Sequence, residues 1–233
     1  TNGHVATLTS CSWSPVSTDH FLTSSEDGTV RIWNIGYRKR QDHVLVVKSK
    51  RAGAGRSAVT HARYSNDGSV IITGSSDGSL KLYSGKGPWN FPASEILNAH
   101  ATGSEITCLA IDSSTGDLVC SRATDGTVKL WDLRSWKIPV ASATDLPNFC
   151  SETACVFSPD DSLIVTGTSA KKGEEWGRLV FLNPARDLAI EHSIDNLTKS
   201  SVVGLAWPSS LNQIVTGNGD GTASILYDPE LSK

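Results

Sequence analysis

Short runs of alternating apolar and polar residues recur along the chain, and each begins just after an Asp-Gly pair. The pairs lie at residues 27–28, 77–78, 125–126 and 220–221. Asp-Gly suits a two-residue hairpin, because both central residues of that turn take positive φ. Each run then ends on an aromatic residue, and such alternation predicts a strand with one buried face. The pattern therefore predicts an all-β chain of hairpins.

The spacing of these turns predicts the architecture. Successive turn aspartates are 50, 48 and 95 residues apart, so the last gap spans about two periods and hides one unit. Residues 153–182 supply that unit, because Ser158-Pro159-Asp160 and the apolar run after it repeat the front half of the others. A period in the forties built of short strands is typical of propeller blades. We expect five units, at about 1–50, 51–97, 98–146, 147–194 and 195–233.

Two dipeptides carry a family resemblance. Trp131-Asp132 closes the third unit, and Gly3-His4 opens the first. Both are marks of the WD-repeat family, which the chain resembles along essentially all of its 233 residues. The resemblance implies an all-β WD-repeat β-propeller with about five four-stranded blades. Because such rings most often have seven blades, we expect these five to be part of a larger ring whose first blades precede residue 1.

The resemblance also implies a buried polar set in the best-kept blades: the turn Asp, a Ser or Thr on the strand before it, the opening His and the strand Trp. Two units supply it, as His4, Thr23, Asp27 and Trp33, and as His100, Ser121, Asp125 and Trp131. Ser, His and Asp together also fit a hydrolase. Two copies at repeat phase, and no Gly-x-Ser-x-Gly elbow, favour structural sets instead. Units without the His are expected to be held by packing alone.

Composition narrows the classes of function. The net charge is −3 and the chain has no long apolar run, so nothing global points to nucleic acid or a membrane. Six histidines are dispersed and no Cys-x-x-Cys pair occurs, so no metal or cofactor is expected. Five cysteines, mostly in predicted strands, favour free thiols in a reducing compartment. We expect neither enzyme activity nor a small-molecule substrate.

The connection from residue 36 to residue 56 is strongly basic. Against one acid it carries seven cations, Arg38, Lys39, Arg40, Lys48, Lys50, Arg51 and Arg56. Residues 44–47 within it are apolar and are expected to form the outer strand of the first blade. The flanks are then surface loops, which could contact RNA, phosphate or an acidic partner. A loop that is merely solvated is the plainer alternative.

Three stretches are more specific than the repeat itself. They are residues 4–10, residues 157–169 with the glycine-containing insert that follows, and residues 211–229. Together they resemble the gastrulation-defective family of WD-repeat proteins, of which this chain matches the back five blades. The resemblance implies a nuclear scaffold without enzyme activity. It also implies links to the cullin-4 ubiquitin ligase as a substrate receptor, to histone H2B ubiquitination and DNA repair, and to the spliceosome.

One short motif bears on the ligase. Its receptors often carry Trp-Asp-x-Arg, whose Arg contacts the adaptor, and residues 131–134 match that motif. The implied docking residues are Trp131, Asp132 and Arg134, while an ordinary solvent-exposed arginine is the alternative. A spliceosome-associated component that binds protein or RNA through its rim is the competing function. The basic connection is the best support for that second function.

Overall fold

The computed structural model describes residues 3–37, 41–50, 55–170 and 176–228. Over these residues the chain forms five antiparallel sheets of short strands, and the described helical structure is limited to 3₁₀ turns at Leu133–Ser135 and Pro184–Arg186. Four sheets have four strands and the fifth has three. The all-β prediction is confirmed. The chain divides into two compact units, Thr1–Ile106 and Thr107–Lys233.

The first unit contains sheets 1 and 2, and in each the strands lie side by side in chain order. Sheet 1 consists of β1 (Leu8–Trp13), β2 (His20–Ser25), β3 (Thr29–Asn34) and β4 (His43–Val46). Sheet 2 consists of β5 (Val59–Tyr64), β6 (Val70–Ser75), β7 (Leu80–Ser84) and β8 (Ser94–Ile96). The expected outer strand of the basic connection is therefore present as β4.

The second unit contains sheets 3, 4 and 5, except that the first residue of β9 closes the first unit. Sheet 3 consists of β9 (Ile106–Ile111), β10 (Leu118–Ala123), β11 (Val128–Asp132) and β12 (Ala141–Ala143). Sheet 4 consists of β13 (Cys155–Phe157), β14 (Ile164–Gly167), β15 (Gly177–Asn183) and β16 (Ala189–Thr198). Sheet 5 consists of β17 (Val202–Ala206), β18 (Gln213–Asn218) and β19 (Ala223–Tyr227).

These strands confirm the hidden unit, which is sheet 4, and correct the strand count of the last one. Sheet 5 has three strands rather than four, because the described chain stops at Asp228, one residue after β19. The five cysteines are all free, as expected.

The Asp-Gly turns form as hairpins, but not as two-residue ones. In each pair only the glycine has positive φ, from 75° at Gly28 to 84° at Gly221. The glycine N–H donates to a carbonyl three residues earlier, as from Gly28 to Ser25 at 3.2 Å. This is a three-residue loop, a turn followed by a left-handed residue. The Asp stays at negative φ and uses its carboxylate to accept from the following strand, at 2.9 Å from the Thr29 N–H.

Apolar residues from the alternating strands meet between neighbouring sheets of the same unit. In the first unit Leu22, Val30 and Leu45 of sheet 1 pack with Val59 and Ile71 of sheet 2, all of them fully buried. Hydroxyls on the inner strands add hydrogen bonds between these sheets, such as Thr9 Oγ1 to the Val59 carbonyl at 2.7 Å. Burial of this kind is the main stabilising term in such sheets.

In the second unit two apolar clusters continue the same packing. One joins sheets 3 and 4 around Leu130 and Ile164, and the other joins sheets 4 and 5 around Phe181 and Val202. Backbone hydrogen bonds reinforce the second junction, including Ala154 N–H to the Val203 carbonyl at 2.9 Å.

Candidate functional site

The first polar set assembles at the turn between β2 and β3. His4 Nδ1 lies 2.9 Å from Asp27 Oδ2, and His4 Nε2 lies 2.9 Å from Thr23 Oγ1. The Trp33 indole N–H donates to the same Thr23 oxygen at 2.7 Å. The side chains of His4 and Asp27 are 5% and 3% exposed. The four residues therefore form one connected and mostly buried chain of hydrogen bonds.

Donors and acceptors in this set are balanced. A carboxylate only accepts, so Nδ1–H of His4 donates to Asp27, and Nε2 then accepts from the Thr23 hydroxyl. Burial pushes the pKa of Asp27 upward, but hydrogen bonds from Thr29, His4 and the Val5 N–H outweigh it and lower the pKa to about 2. The set has the connectivity of a hydrolytic triad, yet its hydroxyl is capped by Trp33 and shielded from solvent. This geometry supports the structural interpretation, which stays a prediction.

The second predicted set is divided by the boundary between the two units. Within the second unit, the Trp131 indole N–H donates to Ser121 Oγ at 2.8 Å, and both residues are buried. Asp125 accepts from Thr127 N–H and Oγ1 at 3.1 and 2.7 Å. His100 belongs to the first unit, where it is 2% exposed and its backbone N–H donates to the Gly78 carbonyl.

The expectation that blades without the His rely on packing alone is wrong for two sheets. In sheet 2, Ser49 Oγ donates to Asp77 Oδ2 at 3.2 Å. In sheet 5, Thr198 Oγ1 donates to Asp220 Oδ2 at 3.0 Å. Both hydroxyls come from the segment that enters the blade, as His4 does in sheet 1. A short hydroxyl side chain thus replaces the imidazole as hydrogen-bond donor, a substitution that carries no sequence motif.

The predicted docking motif lies where β11 ends. Asp132 caps the 3₁₀ turn, because its Oδ1 accepts from the Arg134 N–H at 2.8 Å. Trp131 is 1% exposed and packs against Trp136 with ring centroids 5.9 Å apart. Of the three predicted docking residues, therefore, Asp132 and Arg134 reach the surface, while Trp131 is buried beneath them.

Arg134 is held by two carboxylates of its own sheet. Its Nε and Nη2 donate to Asp132 at 3.0 and 2.7 Å, and its Nη1 lies 3.3 Å from Asp117 Oδ2. The hydrogen bonds from Arg134 lower the pKa of Asp132, and those same contacts raise the pKa of the guanidinium. The side chain is nevertheless 70% exposed. Arg134 is thus an exposed cation whose guanidinium plane is fixed by two carboxylates.

A second exposed arginine occupies the corresponding place in sheet 4 and was missed from the sequence. Asn183 caps the 3₁₀ turn after β15, and Arg186 Nη1 lies 3.4 Å from Glu191 Oε1 with 74% of its side chain exposed. The Trp-Asp signature is replaced there by Leu182-Asn183. The signal in the sequence was the short polar residue Asn183, which can cap a turn at the end of the strand.

Strand β4 lies within the basic connection and divides it along the sequence. Arg38, Lys39, Arg40 and Arg51 lie outside the described residues. Lys48, Lys50 and Arg56 are exposed after β4. Lys50 forms an ion pair with Glu95, and the Lys48 ammonium lies 5.8 Å from the centre of the Phe91 ring.

The described ranges contain neither a cluster of metal-ligating residues nor an apolar helix of membrane-spanning length. No group of three or more His, Cys, Asp or Glu residues there is arranged to hold a metal ion. Among the same residues, no helix is long and apolar enough to cross a membrane.

Comparison with known proteins agrees with this geometry. The family model "WD domain, G-beta repeat" matches residues 1–34, 48–84 and 93–132, which cover the first three strands of sheet 1, all of sheet 2 and the first three strands of sheet 3. These matches and the five antiparallel sheets show WD40 repeats and agree with a fold of β-propeller type.

The whole chain is also similar to a particular WD-repeat protein. It is 36% identical to WD repeat-containing protein 70 of Xenopus tropicalis and 38% identical to that of Homo sapiens. It is 34% identical to the Gastrulation defective protein 1 homolog of Drosophila melanogaster. Each alignment covers 100% of this chain but only 35–36% of the relative. The chain therefore spans about a third of the length of these relatives.

Proposed function

We propose that this chain is a non-enzymatic, nuclear protein-interaction module that docks onto the adaptor of the cullin-4 ubiquitin ligase and serves as a substrate receptor linked to histone H2B ubiquitination and DNA repair. WD-repeat relatives support the coarser part, a scaffold for protein contacts. The observation that carries the finer part is Arg134, an exposed guanidinium fixed at the end of a blade strand by Asp132 and Asp117. Fixing the side chain beforehand lowers the entropy cost of docking.

The test is capture of purified adaptor by the immobilised chain. Arg134→Ala is expected to lower capture at least severalfold, because the contact with the adaptor loses its exposed cation. Arg186→Ala is the matched control, since that arginine is equally exposed on the next sheet and follows the same kind of cap. Undiminished capture by Arg134→Ala, or equal loss in both variants, would contradict the proposal.

A spliceosome-associated role through the rim is the second candidate. Three exposed cations after β4 favour it, namely Lys48, Lys50 and Arg56. Reversing Lys48 and Lys50 to Glu is expected to release the protein from ribonucleoprotein particles in nuclear extract. Retention at the level of the unmodified chain would remove this candidate. The Arg134→Ala variant should stay bound in this assay, which separates the two functions.

A further inference from the structure

A cavity of about 370 Å³ lies between sheets 4 and 5 of the second unit. One wall is the loop from β13 to β14, with Pro159 and Asp160. The other is the loop from β17 to β18, with Trp207 and Leu211. This volume is at the small end of the range for ligand pockets and suits one long side chain of a partner.

The apolar wall of this cavity is anchored in the core. Trp207 and Leu163 pack against the buried cluster that joins sheets 4 and 5. The Trp207 ring meets the Phe181 ring edge-on, with centroids 6.4 Å apart. An indole anchored in this way offers a preformed apolar surface, so binding does not require it to be ordered first.

The polar part of the cavity is a carboxylate with one engaged oxygen. Asp160 Oδ1 accepts from Ser158 Oγ at 2.6 Å, from Ser162 Oγ at 2.9 Å and from Ser162 N–H at 3.2 Å. These bonds, that of Ser158 foremost, lower the pKa of Asp160, which is therefore a carboxylate at neutral pH as an ordinary aspartate would be. No described side chain donates to Oδ2 or forms an ion pair with this residue. A fixed negative charge thus stands beside an apolar wall.

We propose that this cavity binds the side chain of an arginine in an extended segment of a partner protein. The aliphatic stem and planar guanidinium would lie along Trp207, while an N–H donates to Asp160 Oδ2. The charge complementarity with Asp160 selects a cation, and the apolar wall favours arginine over the more strongly hydrated lysine. This site lies apart from Arg134 and does not depend on adaptor docking.

The probe is a short peptide, acetyl-Leu-Arg-Leu-amide, added to the ¹⁵N-labelled chain. The Trp207 indole resonance should shift and saturate. The matched peptide acetyl-Leu-Gln-Leu-amide should bind about tenfold more weakly, the loss expected for a charge-assisted hydrogen bond. Because this comparison uses the unmodified protein, it does not depend on the folding of any variant. Equal affinity for the two peptides, or no saturable shift, would overturn the proposal.

A comparison of two protein variants tests whether Asp160 supplies the negative charge that binds the arginine peptide. Asp160→Asn should weaken arginine-peptide binding to the level of the glutamine peptide. Asp67→Asn is the control, because Asp67 sits in the equivalent hairpin of sheet 2 and accepts from Ser65 Oγ at 2.6 Å and Ser69 N–H at 3.0 Å. Unchanged binding by Asp160→Asn, or equal loss in Asp67→Asn, would contradict the assignment.

Discussion

The turn before β3 in sheet 1 and the turn before β19 in sheet 5 share the sequence Asp-Gly-Thr but not their surroundings. Asp27 and Asp220 each accept from the following Thr N–H and hydroxyl, at 2.9 and 2.6 Å and at 3.0 and 2.6 Å. Asp27 is buried and bound to His4, whereas Asp220 is exposed and bound to Thr198. Local hydrogen bonds therefore shape the turn, and its contribution to stability depends on what covers it.

Asp27→Ala should have the largest effect on this comparison. The change leaves the buried His4 Nδ1–H without its acceptor, and the exposed Val5 N–H loses its hydrogen bond as well. We expect the free energy of unfolding to fall by about 1–3 kcal/mol, measured by urea denaturation. A midpoint equal to that of the unmodified chain would show that the set contributes nothing.

Low pH should destabilise sheet 1, because it protonates Asp27. The pKa of Asp27 is lowered from 3.8 to about 2, so its stabilising effect is complete above pH 4 and is lost as pH falls towards 2. The expected loss is about 2 kcal/mol between these limits. Urea unfolding of the unmodified chain and of Asp27→Asn at pH 5 and pH 2.5 measures it. If the two proteins lose stability in parallel, the pH dependence does not come from the lowered pKa of Asp27.

Thr23→Val tests the middle of the chain of hydrogen bonds. Valine keeps the shape but removes the acceptor of the Trp33 N–H and the donor to His4. We expect a loss of about 1 kcal/mol in the same urea assay. The indole resonance of Trp33 should also move, as a direct sign that its partner is gone. A gain in stability would mean that burying these polar groups costs more free energy than their hydrogen bonds contribute.

Asp220→Ala should have the smallest effect. Asp220 is exposed, so water replaces the carboxylate as partner of Thr222 and Thr198. The left-handed Gly221 keeps the turn, and the urea midpoint should match that of the unmodified chain within error. A loss as large as that of Asp27→Ala would erase the difference between the two turns.

Periodicity was enough to predict the sheets, including sheet 4, because alternating burial repeats at a fixed spacing. It could not predict the turn type. Asp-Gly fits both two-residue and three-residue hairpins, and only the backbone of Gly28 and its equivalents separates them. Similarly, Asp161 takes the left-handed position at 57°, where the equivalent residue of sheet 2 is Gly68. Its carboxylate offsets the strain by accepting from Ser113 and Ser114.

The candidate site was only partly predictable for the same reason. The motif at residues 131–134 picks out Arg134, but its second partner, Asp117, comes from the loop before β10 and only folding brings it close. The sequence also gives no sign that Ser49 and Thr198 replace the missing histidines, since serine and threonine are common in such segments. A single sequence does not show which short polar side chains contact one another across sheets.

We infer that the buried polar sets stabilise the blades while binding depends on exposed residues at their ends. Sheet 3 tests it directly, because Asp125 and Arg134 flank one strand. Unfolding and adaptor capture should be measured on Asp125→Ala and Arg134→Ala. We predict that Asp125→Ala loses about 1–3 kcal/mol of stability but captures adaptor normally when folded, whereas Arg134→Ala keeps its stability and loses capture. If Asp125→Ala melts normally, or if folded Asp125→Ala fails to capture while Arg134→Ala succeeds, the division of roles is wrong.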